Sequence, residues 1–412
     1  MAGPSPHGKS AANGTLPLSG VRVLEFCHAI MGPTAGVILA VLGADVIKVE
    51  PADGDSTRRL VGFAAGFFPT FNRNKRSFAV DLKAEEGLTL LHRLANTADA
   101  VVENYAPGTM DRLGCGYADL SKINPRLIYC ALKGFLSGPY EHRPALDEVV
   151  QFMGGLAYMT GPPGQPLRAG SSVVDIVGGM FAVIGIQAAL RERERTGRGQ
   201  MIKSALFEST AFLMAQHMAG QAVTGRPPPP MPAREGAWGI YDPFSTKDGA
   251  QIFVGITSDR QWRRFCEHFE RPDLLNNPAY KTNEDRVRAR PVLRPLISEI
   301  VARHTLAELT ELFDRIDIPF APVAKPGDLF DDPQLNADGR MLNVALPAGG
   351  TTKLPRLPVE IGSHDFTLRR QAPQIGEHTA EILAELGMTH TEIADLDQRH
   401  IVAIAAADKV GA

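Results

Sequence analysis

Cysteine is scarce in this chain. Four occur in 412 residues, Cys27, Cys115, Cys130 and Cys266, far apart and without a Cys-x-x-Cys pair. That spacing excludes a disulfide framework and cysteine zinc sites, and it suits a reducing cytoplasm. No pair of His or Cys residues has metal-ligand spacing, so no metal is expected. An excess of one charge is missing too. Lys plus Arg number 43 against 46 Asp plus Glu, for a net charge of -3, which gives no general attraction to nucleic acid or an anionic membrane. Any anionic partner must be held by local basic groups. The opening MAGPSPHGKSAANGTL has no apolar h-region, so residues 1–16 read as a disordered leader and not as a signal peptide. No apolar run appears long enough and free enough of charge to span a bilayer. Nucleotide fingerprints are absent: the first β-rich run leads into CHAIMGPTAG, which lacks G-x-G-x-x-G, and there is no Walker A sequence.

What is present is a regular alternation of short β-rich runs and helical stretches. VRVLEF, GPTAGVILAVLGA and DVIKVE form a strand, helix, strand unit, and KAEEGLTLLHRLANTA, DAVVEN and RLIYCALKGF continue it. The pattern predicts an α/β fold, a Rossmann-like large domain with a mostly parallel sheet and helices on both faces. Helices are expected near 148–156, from about 176 to 195, and from 210 to 220. GRPPPPMPAREG at 225–236 breaks the rhythm, because four consecutive prolines neither continue a helix nor donate to a ladder. The predicted organisation is residues 17–205 in the large domain, 206–236 as linker, 237–325 as a small α+β domain, and 326–412 returning to the large domain. The tail is expected to end on the helix GEHTAEILAELG.

The run SSVVDIVGGMFAVIGIQAAL carries one carboxylate, Asp175, at the start of a long apolar helix. Two readings are open, and both can hold at once. Asp175 caps the helix, accepting its first free N–H groups at the positive end of the dipole, and it is a partly desolvated nucleophile. Backbone near Gly178 is a candidate oxyanion donor. Lys75, Arg76, Lys83 and Arg112 flank strand ends and loops where a phosphate would bind, although each also suits a solvated surface. His28 follows a strand end, where sites of open sheets collect.

In the order LSGVRVLEF, LGADVIKVEP, NRNKRSFAVDLK, VVENYAPGTMDRLG, NPRLIYCALKGF, LDEVVQFMGG, VVDIVGG, TGRGQ, APVAKP and GEHTAEIL, the chain resembles the class III CoA-transferases. The resemblance implies that Asp175 is the catalytic aspartate. It also implies that Ile30, Met31, Lys83, Asn104, Tyr105, Ala106 and Arg112 contact coenzyme A, and that two chains form an interlocked homodimer. Acyl-CoA would be a substrate, with no permanently bound cofactor. The family's formyl-CoA transferases carry a glutamine where Ile30 stands, and an arginine contacting the nucleotide is replaced by Pro51.

The activity so implied is CoA transfer to a small carboxylic acid. Succinyl-CoA is the expected donor and a C4 to C5 dicarboxylate such as mesaconate, itaconate or citramalate the expected acceptor. A second carboxylate needs a cation, and His28, His142, Arg143, Arg168 and Arg234 are the candidates. Formyl-CoA:oxalate transfer is an alternative, disfavoured by Ile30. An α-methylacyl-CoA racemase is another, but the racemases pair the aspartate with a histidine and Leu146 stands at the matching position. A non-catalytic acyl-CoA-binding module would not need Asp175.

Overall fold

The computed structural model describes residues 15–234, 236–362 and 364–405; residues 1–14 of the expected leader lie outside them. The chain forms two compact units, one from the residues up to Met231 and again from Asn336 onward, the other Pro232–Leu335.

The first unit is built on seven strands. Six are parallel: β1 (Arg22–Phe26), β2 (Asp45–Glu50), β3 (Arg76–Val80), β4 (Ala100–Glu103), β5 (Ile128–Lys133) and β6 (Met201–Ala205). Their order is β3-β2-β1-β4-β5-β6, and the short strand Val402–Ala403 adds antiparallel to β3 at the edge. Strands covered by helices on both faces are expected to be apolar throughout, and β1 to β5 are almost wholly buried. The exceptions are ionic: Lys75 Nζ lies 2.6 Å from a Glu25 carboxylate oxygen, and Lys48 Nζ lies 2.8 Å from Asp55. Lys75 is fully buried, and Arg76 pairs with Asp45, Glu381 and Glu385, so both are committed to ion pairs within the fold and neither is a surface group awaiting phosphate.

The strand order reverses direction between β1 and β4. In open α/β sheets ligands bind beyond the carboxyl ends of the strands at that switch point. Two helices meet there, α1 (Met31–Val41) and α3 (Val173–Thr196), while α2 (Asp147–Met153) precedes the second. The close approach of α1 and α3 depends on glycine. A Cβ on Gly179 would lie 2.6 Å from the Met31 carbonyl oxygen, and one on Gly178 would lie 2.5 Å from Met31 Cε. The Gly178 carbonyl accepts a bond from Ser204 Oγ at 2.9 Å. Gly178 is therefore a packing residue inside α3, and its amide is not positioned as the oxyanion donor that the sequence suggested.

Two further expectations need correction. By length and composition α3 is apolar enough to cross a membrane, contrary to the reading that no run was. Val174, Gly178, Gly179, Ala182, Val183, Ile186 and Ala189 are buried against the rest of the unit, so part of this apolarity fills a core, while Met180 and Ile184 stay exposed. The expected linker 206–236 is mostly helix: α4 (Leu206–Thr224) ends on Gly225, whose φ of 68° gives the left-handed stop. The expected last helix, Thr379–Glu385, is followed by another, His390–Gln398, before the edge strand.

The second unit has an antiparallel sheet of β7 (Ile240–Ser245), β8 (Gln251–Ile256) and β9 (Phe320–Pro322), in that order. Helices Asp259–His268, Arg290–Val301 and Leu306–Arg315 belong to the same unit, whose core includes Trp262, Phe265, Leu293, Ile297, Leu309 and Phe313. It is the small α+β fold expected.

Candidate active site

The β1–α1 loop is gripped at three successive residues. Lys48 Nζ donates to the Cys27 carbonyl at 2.7 Å. The Asn104 side chain accepts from His28 N–H at 3.0 Å and donates to the His28 carbonyl at 2.9 Å. Ala29 N–H donates to Thr57 Oγ1 at 2.9 Å, and that hydroxyl donates to Asp55 at 2.8 Å. The grip is needed because Ala29 has a φ of 59°, a conformation unfavourable for any residue with a Cβ. Asn104 stands at the end of β4, so the switch point is bridged by one side chain. Beside it, Lys133 Nζ pairs with Glu103 at 2.6 Å and donates to the Tyr105 carbonyl at 2.7 Å, which sets the course of the next loop.

Beyond these loops lies a cavity of about 560 Å³. Its lining brings together Asp175, His28, Met31, Asn104, Tyr105, Ala106 and Arg143, residues from distant parts of the sequence. The His28 ring lies 5.5 Å from that of Tyr105, and burial lowers the imidazole pKa. Ile30, expected to contact coenzyme A, is buried and is not among the residues lining this cavity.

Asp175 sits in the first turn of α3 but does not cap it. Asp147, at the start of α2, does so from outside: one of its carboxylate oxygens accepts from the N–H groups of Val174 at 2.9 Å and Asp175 at 3.2 Å. Its other oxygen accepts from Gln151 Nε2 at 2.5 Å. The helix-cap reading of Asp175 therefore fails, since another carboxylate already occupies that position. With its own oxygens free of capping, the Asp175 carboxyl faces the cavity in a desolvated setting. Burial, then repulsion from Asp147, push its pKa up to about 7, against a smaller opposing effect of Arg168.

The remaining predicted residues fall elsewhere. Arg168 pairs with Glu148 and lies 3.9 Å from Asp147, so it belongs to the support of α2. Arg234 is in the second unit. Lys83 lines a slot of about 520 Å³ with Val49, Pro51, Val80, Leu82 and Tyr105, so Tyr105 borders both this slot and the Asp175 cavity. Lys83 also borders an open basin of about 850 Å³ that Arg112, His92 and Lys122 line. Sequence reasoning missed Asp147, Thr57 and Lys133, whose contacts reach across the fold and leave no local pattern.

The doubly wound sheet thus carries a desolvated carboxyl at its switch point, in a cavity that shares Tyr105 with the slot, which in turn shares Lys83 with the basin. Residues 18–379 match the model of CoA-transferase family III, and the chain belongs to that family. It is 36% identical over 385 residues to the succinate–glutarate CoA-transferase of Agrobacterium fabrum, covering 90% of this chain and 96% of that one. It is 31% identical over 405 residues to the succinyl-CoA:D-citramalate CoA-transferase of Chloroflexus aurantiacus, covering 94% and 98%. Among solved structures, a CAIB/BAIF family protein from Brucella suis is similar with a TM-score of 0.82 and 34% identity, covering 90% of this chain and all of the other.

A carboxyl whose native pKa lies above its ordinary 3.8 makes the native state lose stability as pH rises from about 4 to about 7, and none further above. Asp175→Asn should therefore melt higher than wild type by a margin that grows over that window and is constant above it. Melting temperatures of both proteins from pH 4 to 9 check this; a margin that shrinks with rising pH would contradict the raised pKa.

Proposed function

We propose that this CoA-transferase moves coenzyme A from succinyl-CoA to a C4 to C5 dicarboxylic acid, such as mesaconate, itaconate or citramalate, with Asp175 as covalent carrier. The observation that carries the proposal is the Asp175 carboxyl, free of capping and facing a cavity, its helix start satisfied by Asp147 instead. A carboxylate oxygen of Asp175 attacks the donor thioester carbonyl, and the C–S bond breaks to give an acyl-aspartyl anhydride and CoA thiolate. The thiolate attacks the aspartyl carbonyl of the anhydride, forming an aspartyl-CoA thioester and releasing the donor acid as its carboxylate. The acceptor carboxylate then reverses both steps and leaves as its CoA ester, with the Asp175 carboxylate restored. Each step exchanges one activated acyl bond for another, so no redox change occurs.

The three adjoining cavities supply a route for the substrate. In this reading the basin beside Arg112 and Lys83 takes phosphate, the slot takes the nucleotide end, and the arm passes Tyr105 to reach Asp175. The names of the relatives support succinyl-CoA as donor and dicarboxylates as acceptors. Arg143 suits the second carboxylate best of the candidate cations. It lines the Asp175 cavity, its guanidinium lies 4.9 Å from the Tyr140 ring centre, and it makes no ion pair among the described residues.

Asp175→Ala and Asp175→Asn should stay folded and lose activity by roughly 10⁴-fold or more, as nucleophile removal does elsewhere. Mass analysis of wild type treated with donor and hydroxylamine should find the modification on Asp175. Near-normal turnover in either variant would overturn the mechanism.

Acceptor choice is tested by steady-state rates with mesaconate, itaconate, citramalate and butyrate at equal concentration. The dicarboxylates should win by roughly 100-fold, the scale of a desolvated charge pair. Equal or better rates with butyrate would end the dicarboxylate assignment and leave CoA transfer standing.

The working form we propose is an interlocked homodimer. Met180 and Ile184 on α3, and Phe212, Met218 and Val223 on α4, are exposed apolar residues that a second chain would cover. Sedimentation at nanomolar concentration should find a dimer that does not dissociate, and a fully active monomer would contradict it.

A further inference from the structure

We infer that His400 is a nucleotide-binding residue whose imidazole closes the slot over the adenine of coenzyme A, an inference that rests on the CoA-transfer reading above. The helix His390–Gln398 stops at Arg399, and His400 follows with a φ of 59°. Helices that stop in the left-handed conformation usually place glycine there, because a side chain is disfavoured. The turn itself is well formed. Ile401 N–H bonds the Leu396 carbonyl at 2.9 Å, His400 N–H bonds that of Asp397 at 3.0 Å, and Asp81 N–H at the end of β3 bonds the Ile401 carbonyl at 2.9 Å. Every one of these bonds is made by backbone and would survive with glycine at position 400.

The imidazole therefore costs stability, and the fold does not recover it. Among the described residues the His400 side chain makes no hydrogen bond, ion pair or ring contact. What it does is line the slot together with Val49, Pro51, Val80 and Leu82 and the carboxylate residues Glu50, Asp53 and Asp81, with Lys83 at the border to the basin. Apolar side chains, a flat aromatic ring and carboxylate acceptors for an amino group, next to a lysine and one cavity away from Asp175, fit an aminopurine with a phosphate beyond it. A base stacks on a neutral or charged imidazole, and a disfavoured backbone conformation retained at a binding surface is where such strain is found. Pro51, which stands where the resemblance has an arginine contacting the nucleotide, supplies a wall and no donor.

The inference predicts opposite effects on stability and binding, which a purely structural histidine would not give. His400→Gly should raise Tm, since glycine relieves the turn. It should also lower the preference for succinyl-CoA over succinyl-pantetheine, taken as the ratio of kcat/KM values, by roughly tenfold, the low end of base–aromatic stacking. His400→Phe should restore most of that ratio without the gain in Tm. A glycine variant that keeps the wild-type ratio, or that lowers kcat/KM for both esters by the same factor, overturns the assignment. Succinyl-pantetheine lacks the nucleotide, so it reports on the Asp175 chemistry alone. No transfer from either ester by the wild type would instead fail the CoA-transfer reading, and this inference with it.

Discussion

The start of α3 has backbone N–H groups with no partner in the helix, and they must be satisfied. The carboxylate that does so comes from Asp147 on another helix. Had Asp175 capped its own helix, its charge would be spent on backbone and its pKa would fall, because hydrogen bonds to a carboxylate favour the ionised form. With the cap supplied from outside, Asp175 receives the opposite treatment: desolvation and a like charge nearby. One interaction thus does two things. It secures the helix start, and it leaves the neighbouring carboxyl uncommitted to the backbone, as the proposed nucleophile requires.

The other side of the cavity obeys the same logic. The β1–α1 loop must bend sharply at Ala29 to bring Met31 against Gly178, and that backbone is unfavourable by itself. Lys48, Asn104 and Thr57 each hold one residue of it, and Lys48 and Asp55 tie the grip into buried charges under the sheet. Buried ion pairs of this kind are poor sources of stability, because desolvation offsets most of their attraction. Their use here is positional: they fix where the loop stands relative to the first turn of α3, the distance on which chemistry at Asp175 depends.

Much of the sheet was legible in the sequence because its strands are short, apolar and spaced by amphipathic helices. VRVLEF, DVIKVE and DAVVEN fall on β1, β2 and β4 almost residue for residue. β6 was missed because MIKSA is an edge strand with exposed Met201 and Lys203, and so lacks the apolar run. Lys75 and Arg76 read as surface groups, since nothing local reveals that Glu25, Asp45 and Glu385 wait for them across the fold. The membrane-like look of α3 is the same failure reversed: burial between layers and burial in lipid leave the same composition. Asp175 stands out in the sequence as the lone carboxylate at the start of α3, but that Asp147 caps this helix is a contact across 28 residues with no local signal.

Under the proposed mechanism, the layout of the cavities gives a reason for much of the site to lie far from the reacting atoms. An acyl anhydride on Asp175 would be exposed to hydrolysis unless the thiolate that follows were already held in place, and the reacting end of CoA offers little surface to hold. Binding energy gathered at the remote nucleotide end can be spent on keeping the thiolate beside Asp175. That requires a rigid connection between the two ends. Tyr105 borders both the slot and the Asp175 cavity, and its loop is fixed to the sheet by Lys133 and Glu103. In the proposed reading, a substrate anchored beside Lys83 would be referred to the same sheet that positions Asn104, His28 and the first turn of α3, so that recognition at one end would set geometry at the other.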